Sequence, residues 1–341
     1  MRKEISSDSR PEFQRLMELT ARVGSDPLLT QASTGNISIK VDGEMWIKAS
    51  GRWMAAALRD EIFIPLDLRD VNRCLRVGTN PAERFAGASI ETAVHAIMPQ
   101  RVVLHLHCVN AIAWAVRADG FSQLQPRLQG LRWQWLPYLP SGLPLARGIG
   151  EALKRGPDTD VFVLANHGLV VAAEDVHSIE NLLAELRRRL NISRRFAHPA
   201  DYTLLAEIGR DSRWLLPDND EIHALGADPI SRKIVSEGIL FPCQTIFSGG
   251  HGLQAFQPVS YDWRPELRGG NPPFLIVEKC GVLVSTDISP AGLAMLSGLA
   301  NVVQRLSPAA PIRYLTEVEI AGLSPQSVRS YCELANGARV R

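Results

Sequence analysis

Cysteines and long apolar runs are scarce in this sequence, and both shortages exclude whole classes of protein. The five cysteines are scattered, odd in number and never spaced as C-x-x-C, so they predict neither a disulfide framework nor a thiolate zinc site. No stretch approaches the roughly 18 consecutive apolar residues of a membrane span, and the opening MRKEISSDSRPEF has no signal-peptide core. We therefore expect a cytoplasmic protein without a membrane partner.

An excess of charge of one sign is missing as well. The 37 lysines and arginines balance the 36 aspartates and glutamates to a formal net charge of +1, which gives no electrostatic reason to expect a nucleic acid as partner. No G-x-G-x-x-G motif links a strand to a helix, which argues against a dinucleotide site. With 45% hydrophobic and 21% charged residues over 341 positions, the composition is typical of a globular protein with one large core or two domains.

Hydrophobic periodicity predicts an α/β protein in two parts. A polar, irregular stretch at 198–226 is the candidate linker, and it divides the chain into a domain over 1–200 and a smaller α/β extension over 201–341. In the first part the pattern predicts helix 10–23, a hairpin within 33–51 that turns at Asp42–Gly43, helix 89–98 capped by Ser89, a strand from residue 102, helix 110–117, and strand, turn, strand and helix over 159–190. In the second part it predicts strands within 238–250 and 272–286 and helices over 289–306 and 324–336.

Two histidines interrupt the apolar run VVLHLHCVNAIAWAV at 102–116. Because side chains alternate between the faces of a strand, His105 and His107 would point to the same side, and two neutral imidazoles at this spacing can bind one metal ion. Histidines that are merely satisfied in a core or an interface would give the same pattern. The pair alone therefore leaves both interpretations open.

Five short motifs in the first part of the chain place the two histidines in a larger pattern. They are T-G-N-I-S at Thr34–Ser38, A-S-G at Ala49–Gly51, S-I-E at Ser89–Glu91, H-L-H at His105–His107 and N-H-G at Asn166–Gly168. In this combination and order they resemble the class II aldolase/adducin family, which includes L-fuculose-phosphate aldolase. The similarity covers roughly residues 10–195, and the rest of the chain resembles the extended aldolase module of fusions with a short-chain dehydrogenase. The resemblance implies a three-layer α/β/α fold with a largely antiparallel central sheet, and a homotetramer.

The resemblance also implies a metal centre and a catalytic base. His105, His107 and His167 would bind Zn²⁺ or another divalent metal, and three histidines leave a coordination position open, as in catalytic zinc sites. Glu91 would be the acid/base, in the first turn of its helix. For His95, one helical turn further on, a hydrogen bond near the site or plain helix packing is favoured over a role as a fourth ligand.

Polar, glycine-bearing segments flank the hairpin and match the substrate-binding positions of the family. The residues so matched are Gly35, Asn36, Ser50, Gly51 and Ser89. Members of the family usually carry S-S-E where this chain has Ser89-Ile90-Glu91, so an expected hydroxyl is replaced by an alkyl group. This departure leaves room for an unphosphorylated sugar or a sugar acid beside a sugar phosphate.

The expected function is that of a zinc-dependent aldolase, which cleaves or forms a carbon–carbon bond of a hydroxyketone sugar, sugar acid or sugar phosphate through an enediolate. A dehydratase, 4-epimerase or decarboxylase on the same fold is the first alternative. A non-catalytic, adducin-like scaffold is the second alternative, but a scaffold has no physical need for an open metal site beside a carboxylate base.

Overall fold

The computed structural model describes residues 5–248, 251–260 and 272–323, together with Glu333 and Asn336. These residues fall into two compact units. The first contains residues 5–115 and 119–191 together with Glu333 and Asn336, and the second contains residues 116–118 and the described residues from 192 to 323. Within the described ranges, none of the helices combines the length and the apolar character that crossing a bilayer requires.

The first unit is built around one mixed sheet. Its strands are β1 (Asn36–Val41), β2 (Glu44–Lys48), β3 (Phe63–Asp67), β4 (Val102–Leu106), β5 (Trp133–Leu136), β6 (Val161–Leu164) and β7 (Gly168–Ala173). Its helices are α1 (Arg10–Gly24), α2 (Leu68–Val77), α3 (Thr92–Ile97), α4 (Val109–Ala115), α5 (Gly120–Arg127), α6 (Leu143–Arg155) and α7 (Val176–Leu190), with short 3₁₀ turns at Met54–Ala56 and Pro81–Glu83.

The strand order is β3-β2-β1-β4-β7-β6-β5, and every pair is antiparallel except β5 with β6. The prediction of a largely antiparallel central sheet is therefore confirmed. The pairing brings the start of β1 next to the end of β4, with Asn36 opposite His105. Segments that are far apart in sequence thus meet at one end of the central strands.

Helices cover both faces of this sheet. On one face, α3 and α6 pack through residues such as Val94 and Ile149 against Val103 and Phe162. The neighbouring side chain Leu104 points to the other face and is also fully buried, and α1, α4 and α7 contact the strands there. Because helices bury both faces of the sheet, the first unit has a three-layer α/β/α arrangement.

Local signals explain most elements of the first unit. The hairpin β1–β2 turns at Asp42–Gly43, where both residues have a positive φ, and Asp175 caps α7 by accepting from the amide of Ser178. The prediction that Ser89 caps a helix over 89–98 is wrong, because α3 begins only at Thr92. Glu91 occupies the N-cap position without capping the helix, since its carboxylate is turned toward histidines elsewhere in the unit.

The second unit has a smaller sheet of its own, in the order β8-β10-β9. Its strands are β8 (Trp214–Leu215), β9 (Phe274–Val277) and β10 (Gly281–Ser285). Its helices are α8 (Tyr202–Gly209), α9 (Ala224–Ala227), α10 (Pro229–Glu237), α11 (Pro242–Ile246), α12 (Pro290–Val303) and α13 (Glu317–Ala321), with 3₁₀ turns at Asp220–His223 and Gly252–Phe256. The predictions of strands within 272–286 and of helix 289–306 agree with these elements.

Two predictions for the second unit are wrong. The proposed linker at 198–226 is folded. Its apolar side chains Leu205, Trp214 and Ile222 are buried, although most of the residues around them in the sequence are polar. The predicted strand within 238–250 is instead the short helix α11, where Pro242 at the first position removes a donor that a strand ladder would need. Apart from Glu333 and Asn336, the helix predicted over 324–336 lies outside the described residues. The domain boundary at residue 200 stays a prediction.

Candidate functional site

Three histidines converge at one end of the central strands β1, β4 and β7. His105 is on β4, His107 follows that strand directly, and His167 lies in the turn between β6 and β7. Each is at most 7% exposed, and one ring nitrogen from each lies within 4.8 Å of the others. The His105 and His107 Nε2 atoms are 3.1 Å apart, as expected for side chains that leave a strand on one side.

The position of His167 depends on a close approach of two backbones. A Cβ atom on the next residue, Gly168, would lie 2.3 Å from the carbonyl oxygen of Leu106 on the neighbouring strand. Only glycine fits there without displacing β4, and Asn166 completes the tight turn with a φ of 53°. The N-H-G sequence is therefore the local requirement for bringing His167 to His105.

His105 and His107 are arranged to act as neutral ligands. The Nδ1 atom of His105 is 3.0 Å from the carbonyl oxygen of Leu169, and because a carbonyl only accepts, Nδ1 carries the proton and Nε2 presents a lone pair. Burial lowers the pKa of His105 to about 4, against the opposing effect of the Glu91 carboxylate. Burial also lowers the pKa of His107 well below its usual range, so both rings are neutral at pH 7.

Glu91 lies against this triad. Its Oε2 is 3.1 Å from His105 Nε2 and its Oε1 is 3.3 Å from His167 Nε2, although the residue is only 6% exposed. Burial by itself raises the pKa of Glu91, but the positive charge that His105, His167 and His107 carry when protonated, together with a hydrogen bond from His167, holds this pKa well below its ordinary range. An ionised carboxylate therefore sits beside the three ring nitrogens.

The lone pair of His105 that faces the Glu91 carboxylate favours a cation in this cluster. Nε2 of His105 lies 3.1 Å from Glu91 Oε2, although the proton of the neutral ring is committed to the Leu169 carbonyl through Nδ1. Acceptors that converge at this distance repel one another unless a positive charge lies among them. Three imidazole nitrogens are a donor set suited to Zn²⁺ or a similar divalent ion, so the residues fit the metal that the sequence predicts.

Asn36 and Ser89 join the cluster by direct contact. The Nδ2 group of Asn36 donates to Glu91 Oε2 and to Ser89 Oγ, both at 3.4 Å, and Ser89 Oγ accepts from the amide of Glu91. The Oδ1 atom of Asn36 is buried without a hydrogen-bond partner among the described residues. Gly35 has a φ of 75°, and a Cβ there would lie 3.0 Å from the carbonyl oxygen of His105.

Ser50 and Gly51 lie in the neighbouring loop that follows β2. The amide of Ser50 donates to the carbonyl of Gly87 at 2.8 Å, which ties this loop to the segment leading to Ser89. Among the described residues, neither Ser50 nor Gly51 forms a hydrogen bond with Glu91 or the histidines. The structure therefore groups Gly35, Asn36 and Ser89 directly around the histidine cluster and places the other two residues beside it.

His95 packs near the site without joining the triad. Its Nδ1 is 2.8 Å from Ser38 Oγ on β1, and it lies outside the group of three histidines that can share a metal ion. This contact agrees with the predicted hydrogen bond rather than with a fourth ligand. Burial, followed by the positive charge that His105 carries when protonated, lowers the pKa of His95 to about 3.

Sequence reasoning missed Lys48, the last residue of β2. It is only 1% exposed, and its Nζ donates to the carbonyl oxygens of Ser33 at 2.9 Å and Arg52 at 2.7 Å. Burial lowers its pKa to about 7, against the opposing effect of the Glu91 carboxylate. A lysine that directly precedes the A-S-G motif was the available signal, but lysines at strand ends are normally solvated.

A comparison with protein families assigns the fold that carries this site. The sequence model described as "Class II Aldolase and Adducin N-terminal domain" matches residues 14–193, which is more than half of the chain. The chain belongs to this family. The matched range agrees with the predicted extent of roughly 10–195 and contains all the residues of the histidine cluster. Class II aldolases are typically metal-dependent, in line with the donor set described above.

One curated relative extends the comparison. The chain is 28% identical over 174 residues to "Uncharacterized oxidoreductase YuxG" of Bacillus subtilis, over 45% of this chain and 25% of that protein. The chain thus spans about a quarter of the length of this relative. A match to one part of a longer oxidoreductase is compatible with the resemblance to an aldolase module of a fusion protein.

Solved structures of class II aldolases are also similar to this chain. An N-terminal class II aldolase domain from Thermoplasma acidophilum is 20% identical, with a TM-score of 0.46 over 56% of this chain and 95% of that one. L-fuculose-1-phosphate aldolase from Thermus thermophilus is 23% identical, with a TM-score of 0.37 over 52% of this chain and 92% of that one.

Proposed function

We propose that this member of the class II aldolase family is a zinc-dependent lyase that cleaves or forms a carbon–carbon bond of a hydroxyketone sugar, sugar acid or sugar phosphate. One observation carries the proposal: the buried Glu91 carboxylate lies 3.1 Å and 3.3 Å from nitrogens of two of three converging histidines. A base beside an open three-histidine site is what proton transfer next to a polarised carbonyl requires.

In this proposal the histidines and Glu91 have separate tasks. His105, His107 and His167 hold the divalent ion, with His105 fixed in orientation by its hydrogen bond to the Leu169 carbonyl. The bound ion supplies Lewis-acid polarisation of the carbonyl and hydroxyl oxygens of the substrate. Glu91, ionised and shielded from water, moves the proton between the substrate hydroxyl and the carbon that gains or loses the bond.

Asn36, Gly35, Ser89, Ser50 and Gly51 hold the substrate in this proposal. The unpartnered Oδ1 of Asn36 supports this role, because a buried acceptor without a donor is costly unless a ligand hydroxyl supplies one. Nδ2 of the same residue contacts Glu91, so a hydroxyl bound at Oδ1 would also be aligned with the base.

The middle position of the S-I-E motif, Ile90, does not interfere with this arrangement of polar groups. Its side chain is 45% exposed and points toward Gly142, where an added Cβ would lie 3.0 Å from Ile90 Cγ1. The hydroxyl that relatives carry at this position is nevertheless absent. We therefore include unphosphorylated sugars and sugar acids in the proposed substrate class.

A retro-aldol screen tests the proposed function. The zinc-loaded protein is incubated with ketose 1-phosphates, with their unphosphorylated counterparts and with sugar acids, and the released aldehyde is measured. We expect cleavage in at least one of these classes, and loss of cleavage after chelation and in His167→Ala. A protein that binds zinc but releases no aldehyde from any class would contradict the aldolase proposal.

Product analysis of the same reactions separates the aldolase from its relatives. Loss of water, inversion at a single carbon, or release of carbon dioxide would identify a dehydratase, an epimerase or a decarboxylase on this fold. A metal-free protein with none of these activities would identify a scaffold. We also propose a homotetramer in the cytoplasm; light scattering of the purified protein tests the assembly.

A further inference from the structure

The buried position of Lys48 is not explained by an ion pair. Its side chain is buried, and its ammonium group donates to two backbone carbonyls, at 2.9 Å and 2.7 Å, instead of pairing with a carboxylate at hydrogen-bond distance. Burying a lysine is costly, because the charged form loses its hydration. A neutral residue of similar volume would avoid this cost, so the hydrogen bonds themselves are the feature that requires a reason.

The two carbonyls belong to the two loops on either side of the hairpin. Ser33 lies in the loop that leads into Gly35 and Asn36, and Arg52 follows directly after Ser50 and Gly51. One ammonium group therefore connects both loops. These are the loops that carry four of the five residues assigned above to substrate binding.

Lys48 reaches these loops from behind the site. In the sheet, Ile47 is opposite Ser38 and Asn36 is opposite His105, so these four side chains share one face. Lys48 follows Ile47 and starts from the other face. Lys48 nevertheless interacts electrostatically with the site, because the Glu91 carboxylate raises the pKa of Lys48 against the effect of burial.

We propose that Lys48 is the positioning residue of the substrate pocket, which sets the spacing of the loops that contain Gly35–Asn36 and Ser50–Gly51 through its two hydrogen bonds. This inference rests on the proposed function, because it takes the molecule bound in the pocket to be a substrate. The loop connection itself does not depend on which reaction the protein catalyses.

The chain offers a matched control in Lys40. This lysine lies on β1, its Nζ also donates to two backbone carbonyls, those of Met98 and Gln100, and burial lowers its pKa to about 8. Its carbonyls belong to the connection that leads into β4, at the end of the strand remote from His105. Lys40→Met therefore removes the same kind of interaction without touching either loop.

Hydrogen–deuterium exchange measures the proposed connection directly. In zinc-loaded Lys48→Met we expect amides of residues 30–36 and 49–52 to exchange about tenfold faster, while β4 keeps its protection and the zinc content is unchanged. Lys40→Met should leave both loops at the wild-type rate. If Lys48→Met does not fold, Lys48→Gln, which keeps two N–H donors on a shorter chain, is measured in the same way.

Kinetics give a second readout with any substrate that the screen identifies. We expect Lys48→Met to raise KM about tenfold with kcat changed by no more than about twofold, and Lys48→Arg to restore most of the loss. Wild-type exchange rates in both loops of Lys48→Met would overturn the inference, as would faster exchange throughout the domain. If the wild-type protein cleaves nothing, the proposed function fails, while the exchange experiment still decides the role of Lys48.

Discussion

At the scale of single residues, Glu91 combines burial with a lowered pKa, and these two properties rarely occur together in a carboxylate. It is almost completely buried, yet the positive charge that the three histidines carry when protonated holds its pKa well below the ordinary range. Burial without such partners would raise the pKa and leave a neutral acid. The site thus keeps a charged base out of water and next to the proposed metal.

Substitutions of Glu91 and His105 separate the base from the metal ligands. Glu91→Gln keeps the size of the side chain and all three histidines, so we expect zinc to stay and turnover to fall by about 10²–10⁴-fold. His105→Ala removes one of three ligands, so we expect zinc occupancy and activity to fall together. Elemental analysis and the cleavage assay measure both effects.

His177→Ala is the control for these variants, because His177 is exposed on α7 and its Nε2 lies 3.0 Å from Nδ2 of Asn181, one turn further along the same helix. It should behave as wild type in both assays. Near-normal turnover of Glu91→Gln would show that Glu91 is not the base. Loss of zinc from Glu91→Gln, with zinc retained in His105→Ala, would show that the ligands are wrongly assigned.

The pKa of His95 predicts an acid sensitivity of the metal-free protein. It is about 3 in the folded protein against an ordinary value of 6.5, so between these values the unfolded chain holds a proton that the native protein lacks. Stability therefore falls as the pH drops through this window. We expect His95→Gln to reduce the slope of unfolding free energy against pH by up to about 1.4 kcal/mol per unit.

Urea unfolding at several pH values measures this slope. His177→Gln, which alters an exposed histidine, should leave it unchanged. An unaltered slope in His95→Gln would mean that the acid sensitivity comes from other buried groups, among which His105 titrates in the same direction.

At the scale of elements, the turn between β6 and β7 illustrates how local stereochemistry positions chemistry. Asn166 accepts a left-handed conformation, Gly168 permits contact with β4, and His167 between them is carried to the triad. The sequence predicted this turn correctly because asparagine and glycine each have a specific backbone preference. The same reasoning failed for Ser89, since capping signals do not indicate where a competing tertiary contact holds the chain.

Gly168→Ala tests the turn. The new Cβ would meet the Leu106 carbonyl oxygen at 2.3 Å, so β7 or β4 has to move, and we expect a loss of about 1–3 kcal/mol in unfolding free energy together with weaker zinc binding. Gly43→Ala is the control: its φ is 80° but nothing lies within 4 Å of the added atom. It should cost about 1 kcal/mol from backbone strain and leave zinc affinity unchanged.

Chemical denaturation and zinc titration of both variants provide the comparison. Equal zinc affinities for Gly168→Ala and Gly43→Ala would show that the turn tolerates the displacement and does not fix His167.

On the scale of the whole molecule, the proposed metal connects segments from different parts of the first unit. The triad joins β4 to the β6–β7 turn, and Glu91 adds the start of α3. A ligand that binds only the folded protein stabilises it by mass action. Zinc at about a hundredfold above its dissociation constant should therefore add about 2.7 kcal/mol.

Thermal unfolding with and without zinc measures this stabilisation. We expect a higher Tm with zinc for the wild type and for Glu91→Gln, and no rise for His105→Ala. An equal rise in His105→Ala would place the stabilising zinc at some other site.

The sequence by itself determined the features that depend on neighbouring residues. Alternation along β4 placed His105 and His107 on one side, the Asn166–Gly168 motif formed its turn, and Asp42–Gly43 closed the hairpin, because strand alternation and positive-φ preferences act within a few residues. Only the tertiary structure decided that Glu91 turns away from its helix toward the histidines and that the lysine ending β2 is buried. Those outcomes depend on strand pairing between distant segments, which sets neighbours that no local pattern contains.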